Sequence, residues 1–146
     1  MIITGCTSGR GARRSVDWSI LIVIAAEAIA TGLIELAGGN IFTSLALMFS
    51  TTALLTAMAT NNAAAIIMFP IAVTTANNLN VSIMPFVITI MIAASASFAT
   101  PIGYQTNLMV YGVGGYHFSD YLRIGIPLTL LVGLTTILLV PVIWDF

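Results

Sequence analysis

Four arginines, five acidic residues, one histidine and no lysine are distributed over 146 residues. So few ionisable side chains cannot clothe a domain of this size in a water-facing surface. An ordinary soluble domain is roughly a quarter charged, whereas here 6% of residues are charged and 59% are hydrophobic, with a mean hydropathy of +1.08. A soluble globular domain is therefore excluded, and so is disorder, which needs low hydrophobicity and high charge. A net charge of −1 argues against nucleic acid as a partner. The lone Cys6 rules out a disulfide framework or a cysteine-based metal site. What remains is a membrane protein.

A membrane-spanning helix needs about 20 mostly apolar residues, and five stretches approach that length: 19–37, 41–59, 63–76, 82–100 and 124–144. They are too long and too unbroken for the alternating ~10-residue strands of an outer-membrane barrel. The sequence thus predicts an all-α integral membrane protein, with a cytoplasmic N-terminal segment over 1–18 and a membrane domain over 19–146. Arg10, Arg13 and Arg14 form a positive flank with no signal-peptide cleavage site behind it, and should hold the N-terminus on the cytoplasmic side. Arg123 precedes the last span. If its loop is also cytoplasmic, either four full spans, or two full spans and a hairpin that enters and leaves on one side, separate it from the first cluster.

The first segment, 19–39, begins with Asp17 as the expected N-cap and runs into an amphipathic stretch. There Glu27, Thr31 and Glu35 recur every four residues on one face. The passage from Ala25 into Glu27 reads as shortened, and Gly38-Gly39-Asn40 ends the helix. The last span, 124–144, is expected to carry Pro127 in its first turn and Trp144 as an interfacial anchor.

Two polar interruptions lie between these spans. Thr60-Asn61-Asn62 separates 41–59 from Ala63-Ala64-Ala65-Ile66-Ile67-Met68, and Pro70 is expected to kink or break the second arm. Three uncharged polar residues are a strange loop between full crossings, and the pattern predicts a re-entrant hairpin over 41–79. The second interruption is Thr100-Pro101-Ile102-Gly103-Tyr104-Gln105-Thr106-Asn107, which predicts a broken helix over 81–115. Open backbone at membrane depth persists only where it is buried in protein or lines a wet cavity. Broken helices expose carbonyls at one stub, suited to Na⁺, and N–H groups at the next, suited to an anion. Asn62 and Asn107 are expected to cap the restarting helices. This is how secondary-transporter sites are built.

At these breaks the chain resembles the divalent anion/sodium symporter family, carriers of dicarboxylates, citrate or sulfate. Ala59-Thr60-Asn61-Asn62-Ala63 is similar to the tip of that family's second hairpin, and Ala99-Thr100-Pro101 through Thr106-Asn107 to the broken helix behind it. The wording is nearest to bacterial members with regulatory cytosolic domains. The resemblance implies a Na⁺ site on Thr56, Ala59, Asn61 and Ala99, and an anion held by Thr60, Asn61, Asn62, Thr100, Pro101, Thr106 and Asn107. It implies alternating access and homodimers. The tip departs from the family's Ser-Asn-Thr, and the longer break leaves the roles of Thr100 and Thr106 interchangeable. Family members have two inverted repeats with a hairpin each. Here one tip and no internal repeat are found, so the chain is expected to be the C-terminal part of the second repeat, lacking the N-terminal repeat and incomplete alone.

Other features read more plainly. The hydroxyls of Ser50, Thr51, Thr52, Ser95 and Ser97 read as helix-packing groups. Glu27 and Glu35 read as a solvated stripe rather than a proton relay, and His117 as a solvated residue beside Asp120, which should cap an interfacial helix leading to Arg123. Gly112, Gly114 and Gly115 lack the lysine of a phosphate loop. No nucleophile–base or paired-carboxylate set suggests an enzyme. The competing readings are a small non-transporting helical membrane subunit, whose polar breaks serve packing, and a channel-like pore.

Overall fold

A computed structural model describes residues 18–144, and side-chain surroundings from Ile24 onward. Cys6, the arginine cluster at Arg10, Arg13 and Arg14, and the expected Asp17 cap lie outside the described residues. Within them the chain forms six helices and no strand: α1 (Trp18–Ala37), α2 (Ile41–Met58), α3 (Asn61–Leu79), α4 (Met84–Ser95), α5 (Gln105–Val113) and α6 (Phe118–Ile143). The fold is all-α. Among the described residues α2, α3 and α6 are long and apolar enough to cross a membrane. Large side chains such as Leu36, Met58, Ile66 and Val142 lie open on the outside, where lipid would cover them.

Helix α1 packs on α3, and α2 on α4, with α3 also against α4. Ala30, Leu45, Met48, Met68, Ala72 and Phe86 meet in the main core. Glu27, Thr31 and Glu35 are exposed on the opposite face of α1 from buried Ala26, Ala30 and Leu33. Small residues on α1 and α3 let these backbones approach closely, the packing that lipid-embedded helices favour. Buried hydroxyls are tolerated in this core because each donates to the carbonyl one turn back: Thr52 to Met48, Thr75 to Ile71 and Thr89 to Pro85, all at 2.7 Å.

Connections follow local chemistry. Gly38 and Gly39 adopt positive φ (61° and 71°) to end α1, and Asn40 caps α2 through its side-chain oxygen. Asn80 closes α3 in the left-handed region at φ 54°, and α4 opens with Pro85 in its first turn.

Two expectations about proline are corrected, the break at Pro70 and the first-turn place of Pro127. Pro70 lies inside an uninterrupted α3. Its fixed φ is helical, and its ring borders a cavity of about 240 Å³ against Ala26 and Ile29 of α1. Packing on α1 and α4 holds the helix together across the missing N–H. Pro127 is not in a first turn, because α6 starts at Phe118 rather than 124. A capping box places the start there. The His117 carbonyl accepts from Asp120 N at 3.0 Å, and Asp120 Oδ2 accepts from the His117 N–H at 2.8 Å. Asp120 is thus the third helical residue and not the cap, and the expected interfacial helix and last span are one helix.

Candidate functional site: two chain breaks in contact

The first break is short. Helix α2 ends at Met58, Ala59 and Thr60 are extended, and α3 begins at Asn61. Thr60 is the cap: its Oγ1 accepts from Ala63 N at 3.3 Å and its carbonyl from Ala64 N at 3.0 Å. Asn62, expected to cap, is instead the second residue of α3 and is exposed. A hydroxyl directly before the first helical residue is the better-placed acceptor.

Behind the tip, fully buried Thr56 has its Oγ1 2.9 Å from Asn61 Oδ1 and 2.8 Å from Ala94 O. One hydroxyl proton cannot serve both acceptors. The consistent assignment puts it on Ala94 O and turns the Asn61 amide so that Nδ2 donates to Thr56. The Asn61 oxygen then faces away from Thr56.

The second break is longer and opens earlier than Thr100: α4 stops at Ser95, and residues 96–104 are irregular before α5 resumes at Gln105. Pro101 accounts for the later part of this stretch, and tertiary hydrogen bonds from Thr56 and Ser97 for its early start. The proline would leave the carbonyl four residues back, that of Ser97, without its helical donor, and it pushes Thr100 out of the α region. Asn107 takes up that carbonyl. Its Nδ2 donates to Ser97 O at 3.1 Å and to Thr100 O at 3.4 Å. Asn107 is therefore not the cap of α5; Tyr104 holds that position, without a side-chain hydrogen bond.

The two breaks touch. Ser97 Oγ donates to Thr56 O at 3.3 Å, and Thr100 Oγ1 donates to Ala57 O at 2.7 Å. Hydroxyls of the break thereby fill carbonyls left open at the C-terminal end of α2. The Thr100 oxygen also accepts from Gly103 N at 3.3 Å. Only glycine fits at 103: a Cβ there would lie 1.9 Å from Ser97 Oγ and 2.5 Å from Thr56 O. On the other side, a Cβ on Gly125 of α6 would come within 2.3 Å of Phe98 O, so α6 lies directly on the break backbone.

Of the residues singled out in the sequence, Thr56, Asn61, Thr100 and Asn107 belong to this one hydrogen-bonded cluster, where Pro101 is buried. Ala59 and Ala99 are half-buried, and neither carbonyl accepts a hydrogen bond among the described residues. Thr60, Asn62 and Thr106 are exposed, and no side-chain hydrogen bond joins them to the cluster. Ser97, Gly103, Tyr121 and Gly125 were not singled out as site residues. Ser97 was detectable as the residue four before Pro101, and Gly125 as the first of the small residues Gly125, Thr129 and Gly133 spaced by four on α6.

The cluster offers hydroxyl, amide and carbonyl oxygens and no carboxylate. Among the described residues no group of histidine, cysteine or acidic side chains could hold a metal ion. Neutral oxygens suit a monovalent cation better than a divalent one, whose charge they would leave uncompensated. The unpaired N–H groups lie at the first turns of α3 and α5. Two cavities of about 360 and 450 Å³ that α6 shares with the breaks are lined mainly by apolar side chains such as Phe98, Leu128, Leu54 and Ile126. They are poor places for an anion.

The citrate transporter family matches residues 25–145. The chain belongs to that family. It is a transporter-family membrane protein and not an enzyme, consistent with the resemblance to divalent anion/sodium symporters. An uncharacterized transporter of Synechocystis is 38% identical over 165 residues, covering 99% of this chain and 26% of the relative. A putative sulfur deprivation response regulator of Chlamydomonas reinhardtii is 42% identical, covering 93% of this chain and 26% of its own length. Sodium/sulfate cotransporter 2 of the same alga is 35% identical, with 87% of this chain and 16% of the relative covered. The chain thus spans about a quarter or less of the relatives it matches. No solved structure matches it.

Proposed function

We propose that the chain supplies one half of the binding site of a sodium-coupled secondary transporter for divalent anions: sulfate, citrate or a dicarboxylate. The observation that carries this reading is the contact between the two breaks. It brings a carbonyl-bearing helix end (α2), next to the open start of α3, against the irregular stretch 96–104 that leads into the start of α5. Na⁺ sits against the Asn61 oxygen and the carbonyls of Ala59 and Ala99, with the Thr56 hydroxyl behind. The anion meets the free hydroxyls of Thr60 and Thr106, the Asn62 amide and the open N–H groups of both helix starts. Thr100, Pro101 and Asn107 shape that surface from behind. The bound cation balances part of the anion's charge, a role no lysine or arginine takes at either break.

Helix α4 rises ~18 Å, less than the ~30 Å hydrocarbon slab. The hairpin helices α2 and α3 are longer, ~27 and ~28 Å, and in the re-entrant reading they lie tilted, with the uncharged tip kept within the slab. Alternating access then moves the hairpin and broken helix as one body against the rest of the carrier. The remaining repeat and a second subunit complete the transporter, with the segment before α1 on the cytoplasmic side.

One observation favours the second reading, a helical subunit whose breaks serve packing: the donors of Ser97, Thr100 and Asn107 are all engaged by backbone carbonyls. The two readings separate in uptake of labelled sulfate, succinate and citrate by the whole carrier, with Na⁺ replaced by choline. Transport predicts Na⁺-dependent uptake of at least one anion, with Na⁺ activation weakened about tenfold by Asn61→Ala. The packing reading predicts uptake indifferent to that substitution.

A further inference from the structure

Helix α5 poses a physical problem. It has nine residues, none of them buried, and helices this short are marginal on their own. Yet its first turn must keep a fixed position if its N–H groups and Thr106 are to meet a ligand. Two residues of α6, one turn apart on the same face, lie across the break. Gly125 sits on the backbone of Phe98 and Ala99, upstream of it. Tyr121 reaches the downstream side, where its Oη donates to the Asn107 carbonyl at 3.0 Å. The Tyr121 ring is in turn held edge-on by Tyr111, at 6.0 Å between centroids, and by Tyr116 at 6.3 Å. Asn107 is the residue whose amide ties α5 to Ser97 and Thr100.

We propose that the first turns of α6 act as a splint across the broken helix, and that Tyr121 is a positioning residue that fixes the ligand-facing start of α5 through Asn107. The hydroxyl touches no substrate. It sets where Asn107 and the neighbouring Thr106 stand. The inference deepens the transport reading by assigning control of anion affinity to a residue of α6, outside both breaks.

Tyr121→Phe tests it, because the ring and its edge contacts stay while one hydrogen bond goes. In the whole carrier the KM for the transported anion is expected to rise about fivefold, the equivalent of one net hydrogen bond, with Vmax within about twofold. Tyr121→Leu, which also removes the ring contacts, should raise it further. An unchanged KM for Tyr121→Phe, or a fall in Vmax alone that tracks the amount of folded protein, overturns the proposal. Hydrogen exchange of the whole carrier in lipid nanodiscs gives a reading independent of transport. Tyr121→Phe should speed exchange of the 108–113 amides and leave those of α2 and α3 unchanged. Equal rates in α5 overturn the splint even if the carrier moves no anion at all. Absent uptake by the unmodified carrier would instead count against the transport reading alone.

Discussion

The hairpin tip and the broken helix are both polar interruptions of apolar helices, and they solve the problem of open backbone in different ways. The tip is short and caps itself: Thr60 satisfies two N–H groups of α3, leaving Asn62 and its own hydroxyl proton facing outward. The longer break turns inward, with Ser97, Thr100 and Asn107 all donating to carbonyls. Polar residues in a membrane protein are thus not equally available to a ligand. Those that repair backbone are structural, and those left over are candidates for function.

Substitutions can sharpen or break this contrast. The largest effect is expected from Gly103→Ala, which forces a methyl group into Ser97 and the Thr56 carbonyl. Such overpacking costs about 3 kcal/mol, and thermal unfolding of the purified carrier should show a loss of folded protein. Thr100→Val comes next. It strips the Ala57 carbonyl and Gly103 N–H of a partner, at about 2 kcal/mol, read as a lowered melting temperature. Asn61→Ala should weaken Na⁺ activation of uptake about tenfold, the equivalent of one charge-assisted contact. Thr106→Val, at an exposed position, should alter stability by less than about 0.5 kcal/mol while raising the anion KM. If Thr106→Val destabilised the protein as much as Thr100→Val, the division between structural and free groups would be lost. The smallest effect is expected of Glu27→Gln and Glu35→Gln, whose side chains are exposed; uptake and its Na⁺ dependence should not change.

Much of this arrangement is readable in the chain itself. Uncharged polar residues, Pro101 and Gly103 amid apolar runs announce both interruptions, because lipid leaves few other reasons for them. Details set by tertiary partners are not readable. Nothing local shows that Ala96 to Ala99 leave the helix; that follows from Thr56 taking Ala94 O and Ser97 taking Thr56 O across the fold. Continuity of α3 through Pro70 likewise depends on packing against α1 and α4. The start of α6 at Phe118 was hidden because hydropathy rises only at Ile124, while the His117–Asp120 capping box lies in polar sequence. Tyr121 carries no motif, and its role emerges only from the position of Asn107.

The most direct measurement is maleimide labelling of single cysteines in a cysteine-free whole carrier held in lipid, at positions 60, 106 and 97. Thr60→Cys and Thr106→Cys should react, and Na⁺ together with the transported anion should slow both, while Ser97→Cys stays unreactive. Reaction of Thr60→Cys and Thr106→Cys at the same rate with and without the ions, or reaction of Ser97→Cys as fast as either, would contradict the account.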